Sequence, residues 1–140
     1  ATKQKTYIAM GTWGTRNFEN DGSLDWVFEM IDAKDGGLIA DTLQFSLNKD
    51  GLLDTSECED ALAAAETVAA LTGKASEDYP ETPLEKLDSL NVLATLALRK
   101  LAISVVEKIK LNSEMKQTYT DSGEVEAWFA VQDELIRRLS

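Results

Sequence analysis

Ser56-Glu57-Cys58-Glu59-Asp60-Ala61-Leu62-Ala63-Ala64-Ala65-Glu66-Thr67-Val68-Ala69-Ala70-Leu71-Thr72-Gly73 is the stretch that decides the fold class. Ser56 and Glu59 have the spacing of a capping box, in which each residue satisfies an orphan amide at a helix start. Glu57, Glu59 and Asp60 crowd the first turn, where the helix dipole favours negative charge. Alanine is the strongest helix former, and Gly73 stands where helices commonly end in a left-handed residue. The small side chains permit close approach of a second helix. This is a long helix that expects helical neighbours.

Working outward, similar signals recur. Upstream, a first helix is expected after Ser23 or Asp21 as N-cap, with Leu24, Val27, Phe28 and Ile31 at helical spacing. Gly36-Gly37 is expected to end it, and a second short helix carries Leu38, Ile39, Thr42, Leu43 and Ser46 along one side. Asn48-Lys49-Asp50-Gly51 reads as a turn. Downstream, Thr82-Pro83-Leu84-Glu85 combines a capping box with proline at the first helical position. Leu98, Leu101, Ala102, Val105, Val106 and Ile109 form the cleanest stripe in the chain, in a helix over 94–111. A short helical turn follows Ser113. A last helix from Asp121 or Ser122 carries Val125, Trp128, Phe129, Gln132, Leu135, Ile136 and Leu139.

The segment before Ser23 holds Gly11, Gly14 and Gly22 and reads as irregular. With no internal repeat, the expectation is an all-α fold: a single compact domain of five or six helices with an irregular N-terminal segment. Residues 1–9 are polar and read as a flexible leader or an engineered remnant ahead of a start at Met10, with 10–140 as the helical domain.

The chain has 140 residues, of which 44% are hydrophobic, enough for a real core; Gly and Pro number only 8 and 2. The single cysteine, Cys58, forms no internal disulfide, and a reducing cytoplasm is the expected location. No run approaches the roughly 20 apolar residues of a membrane span.

Charge is the most unusual property. The net charge is −11, and the stretch from Asn17 to Glu66 carries all of it, with 13 acidic residues against Lys34 and Lys49. The remainder holds 12 acidic and 12 basic residues. Nucleic-acid backbones and anionic membrane surfaces are disfavoured as partners, because both require Lys and Arg. A basic protein fits this field, although acidic faces also serve solubility alone.

The chain contains no histidine, which removes Ser-His-Asp and Cys-His nucleophile systems and His-ligated metal sites; one cysteine also excludes thiolate zinc sites. The nearest metal motif is Asn17-x-Glu19-x-Asp21-Gly22-x-Leu24-Asp25, which resembles the first nine positions of an EF-hand loop. Its twelfth position should be a bidentate Glu and is Phe28. The expectation is therefore no metal and no cofactor, and a polar turn into the first helix. Asp25, Glu29 and Asp32 fall on one helix face, and such a face is most often merely solvated. Cys58 lies among Asp54, Glu57, Glu59 and Asp60, whose charges oppose a thiolate, so it reads as a packing residue. Trp13 and Trp26 with Phe18 and Phe28 form an aromatic group expected to anchor the N-terminal segment on the first helix. An exposed Trp would instead mark a binding hot spot. The candidate binding set is thus Trp13, Asp21, Asp25, Trp26, Glu29 and Asp32, with no catalytic residue.

The run from Met10-Gly11-Thr12-Trp13-Gly14 through Phe18-Glu19-Asn20-Asp21 to Leu24-Asp25-Trp26 resembles the opening of a bacterial family catalogued as domain of unknown function 4259. The Ala-rich block 57–71, the run Asn112-Ser113-Glu114-Met115-Lys116 and Glu126-Ala127-Trp128 are similar to that family as well. Arg16 departs from it, standing where a small residue is usual. The resemblance spans Met10 to Leu139. It implies a single bacterial helical domain with Met10 as natural first residue, and it implies no activity.

Three functions compete. The first is a protein-binding module that docks on a basic partner, of the immunity or antitoxin kind. The second is a structural or regulatory oligomer subunit. The third is a carboxylate- and metal-dependent enzyme with its site at the loop entering the first helix.

Overall fold

The computed structural model describes residues 12–140; the expected leader and the expected start at Met10 lie outside them. The described residues form seven α-helices, one more than the upper expectation: α1 Asp21–Ala33, α2 Gly37–Asn48, α3 Thr55–Leu71, α4 Glu81–Lys86, α5 Leu96–Leu111, α6 Glu114–Ser122 and α7 Val125–Leu139. A 3-10 turn, Leu87–Leu90, continues α4. No strand occurs among the described residues; the irregular N-terminal segment makes one isolated antiparallel bridge, between Thr12 and Asn20.

The extra helix is α6. Ser113 caps it by accepting from the Lys116 amide, and Gly123, at φ 79°, ends it after nine residues. The last helix therefore begins at Val125, not at Asp121 or Ser122. The Ser113 signal was legible; the polarity of residues 116–122 hid the helix, which buries only Met115.

The Ala-rich helix α3 is the axis of the fold. It packs against α1, α2 and α5, and α6 and α7 also touch it. Every residue from Ala61 to Ala70 is buried. A helix enclosed on all sides needs no apolar stripe, and its alanines let several neighbours come close. Its cap differs from expectation. Asp54 is the N-cap: its carboxylate accepts from the Glu57 amide at 2.8 Å, and Glu57 accepts from the Asp54 amide at 2.9 Å. The box is Asp54/Glu57 rather than Ser56/Glu59, because the helix starts two residues earlier than the sequence signal.

Two further caps are relocated. Asn20, not Ser23 or Asp21, caps α1 by accepting from the Ser23 amide, while the Ser23 hydroxyl donates to the Glu59 carbonyl. Helix α1 ends at left-handed Lys34 rather than at the glycine pair. Gly36 instead opens α2, where a Cβ would stand 2.2 Å from a Val92 methyl. Helix α4 starts at Glu81 after Pro80 and has no side-chain cap, so the Thr82-Pro83 signal lies one residue inside it.

Candidate functional site

The sequence-based candidates separate in the structure. Asp21, Asp25, Glu29 and Asp32 are exposed on α1, and helical geometry groups the last three on one face. Phe28 lies among them in the helix and is 41% exposed. Trp26 is turned into the core, 7% exposed, with its indole N–H donating to the Thr42 hydroxyl. It is a core residue and cannot contact a partner. Trp13, at 39% exposed, remains accessible. The expected four-membered aromatic group does not form as one cluster. Phe18 and Trp26 are buried, and Phe18 meets Tyr79 edge-on at 4.9 Å.

The carboxylates of α1 and of the first turns of α3 feel one another. Burial, followed by the charges of Glu29, Asp54 and Glu57, pushes the Asp60 carboxyl up to about 6. Glu59 is raised by burial and by Asp60, Asp21 and Asp54. Of the two lysines in the acidic half, Lys49 is paired with Glu57 at 2.6 Å and Lys34 sits at the α1 C-cap. Cys58 is buried as expected, and loss of solvent pushes its thiol up to about 11.

A second constellation was not legible as a site. Glu66, on the buried part of α3, is 1% exposed. Arg138 of α7 grips both its oxygens, at 3.0 and 3.2 Å, and donates its Nε to Glu134 and an Nη1 hydrogen to the Lys74 carbonyl. Asn17 donates to Glu66 at 2.8 Å and exchanges two amide hydrogen bonds with buried Gln132, at 2.8 and 3.2 Å. Burial raises the Glu66 carboxyl, while Arg138 and Asn17 act in the opposite sense. Burial would lower the Arg138 guanidinium, but Glu66 and Glu134 hold it firmly charged. An open cleft of about 570 Å³ lies beside this network.

Asn17 occupies the first position of the EF-like stretch of sequence. Its side chain points inward and is committed to Glu66 and Gln132, so the loop fastens the N-terminal segment to α3 and α7. Phe18 reinforces the attachment by donating its amide to Asp78, and Tyr119 does so by donating its hydroxyl to the Gly14 carbonyl. Among the described residues, no three His, Cys, Asp or Glu side chains stand together as a metal-ligand set.

The fold and these surfaces define a small all-helical domain whose buried Glu66 is paired and whose acidic half displays exposed carboxylates. A family model described as domain of unknown function (DUF4259) matches residues 11–131, and the chain belongs to that family. No curated protein and no solved structure matches it. No helix among the described residues is long and apolar enough to cross a membrane.

Proposed function

We propose that the protein is a binding module that recognises a basic protein through α1, in the manner of a small inhibitor. The observation carrying this reading is the placement of exposed Asp25, Glu29 and Asp32 beside exposed Phe28 on α1. Carboxylates beside an exposed aromatic side chain supply both the steering field and the apolar anchor of a hot spot. Phe28, not buried Trp26, takes the anchoring role, with Trp13 as a second exposed aromatic. Asp60 and Glu59 extend the negative field behind α1, and this field repels nucleic acid and anionic lipid.

The test is affinity capture with the full chain at increasing salt. Exposed charges are screened within about 8 Å at physiological ionic strength, so captured basic proteins should be lost progressively as salt rises. Phe28→Ser should weaken the same capture without altering the circular dichroism spectrum. Capture indifferent to both salt and Phe28→Ser rules this reading out.

A further inference from the structure

The capping geometry of α3 has a chemical consequence. Because Asp54 and Glu57 cap the helix, Glu59 has no capping role. Its carboxylate makes no hydrogen bond and no ion pair among the described residues, although it is half-buried. Gly22, in the first turn of α1, makes room for it: a Cβ there would stand 2.2 Å from Glu59 Oε1. Such close approach explains a glycine inside a helix, where it otherwise costs stability.

Glu59 lines a cavity of about 80 Å³ together with Thr12, Thr55, Met115, Tyr119 and Glu124. Much of the polar lining is already committed. Tyr119 donates to the Gly14 carbonyl and stacks on Trp128 at 5.6 Å, and the Thr55 hydroxyl donates to Glu114. The cavity thus offers a carboxylate, a thioether and a fixed aromatic ring. Asp21, Asp54 and Asp60 add negative charge around Glu59, which disfavours an anionic occupant. An apolar cavity of about 150 Å³ holds benzene, so this one encloses about three or four non-hydrogen atoms and leaves the rest of a longer chain at its rim. Methylenes pack well against the methionine and the ring, and a cation is attracted by both ring and carboxylate.

We propose that this cavity receives a primary ammonium on a short apolar stem, the outer part of a lysine side chain. The ammonium site stands on the cavity alone; its assignment to a partner's lysine rests on the basic-partner reading above. The experiment is amide NMR of the full chain titrated with n-butylammonium, n-butanol and n-butyrate, then with Nα-acetyl-lysine methylamide and its Nε-acetylated form. Millimolar, saturable shifts are expected at Thr55, Thr118 and Tyr119 with butylammonium and the lysine derivative, and little response to the other three probes. Glu59→Gln should weaken binding at least tenfold. Ser122→Trp, at the exposed rim of the cavity, should block it without touching the carboxylate, which keeps the test decisive if Glu59→Gln fails to fold. No saturable response to butylammonium, an equal response to butanol, or unchanged binding in a folded variant overturns the site. Binding of butylammonium but not of the lysine derivative overturns the lysine assignment. No partner is needed, so this test and the capture test fail independently.

Discussion

The carboxylates of α1 and the carboxylate of Glu66 belong to the same acidic half of the chain and live under opposite rules. Asp25, Glu29 and Asp32 are exposed, while Glu66 is 1% exposed and held by Arg138 and Asn17. An ion withdrawn from water is costly unless paired and hydrogen-bonded, so Glu66 requires every partner it has. An exposed carboxylate requires none and is free to meet another molecule. The difference separates charge that the fold depends on from charge that it merely carries.

This contrast is most easily broken at Glu66. Glu66→Ala leaves the Arg138 guanidinium and the Asn17 amide without their main acceptor. Removing one member of a buried pair typically costs about 3–5 kcal/mol. Thermal denaturation should show a fall of about 10–17 °C for a domain of this size. A loss of under about 1 kcal/mol would mean that water replaces Glu66 and that the network is not structural.

Asn17→Ala comes next. It strips hydrogen bonds from buried Gln132 and from Glu66, a loss expected to cost about 2–3 kcal/mol. Hydrogen exchange should accelerate at Phe18 and Glu19, whose segment the Asn17 side chain fastens down. Destabilisation without faster exchange there would place the effect elsewhere in the fold.

Asp60→Asn sharpens the comparison from the other side, because it should stabilise. The folded carboxyl is raised from 3.8 to about 6, so the folded state holds its proton more tightly than the unfolded chain. The stabilisation from Asp60 is complete below the unfolded value and is lost as pH rises towards 6. Asn removes that slope and should add about 1 kcal/mol at pH 7, a value discounted because the side chain is only half withdrawn from water. Urea denaturation at pH 4 and pH 7 measures it; an unchanged pH dependence would show that burial and the neighbouring carboxylates do not raise Asp60.

Much of this was legible in the sequence, for identifiable reasons. The Ala-rich run and the stripe from Leu98 to Ile109 carry period and propensity, and they became α3 and α5. The exposed grouping of Asp25, Glu29 and Asp32 follows from helical geometry once α1 is recognised. Caps were misplaced by one to three residues because Asp54, Ser56, Asn20, Asp21 and Ser23 all have suitable side chains, and only the backbone path chooses among them. The Glu66 network was hidden because its hydrogen-bonded partners lie far apart in the chain, 115 residues in the pair Asn17 and Gln132. Gln132 at a core position of the last helix, beside a Glu in an alanine run, was the available hint of a polar interior. The Glu59 cavity was hidden by its apparent capping role.

On the proposed reading, α1 carries binding charge that the fold does not need. Its most direct test is the variant Asp25→Lys, Glu29→Lys, Asp32→Lys, compared with wild type in affinity capture and thermal denaturation. Surface substitutions of this kind usually change stability by within about 0.5 kcal/mol each, so the melting temperature should move by only a few degrees. Capture of basic proteins should be abolished. A folded variant that captures the same proteins as wild type would contradict the account.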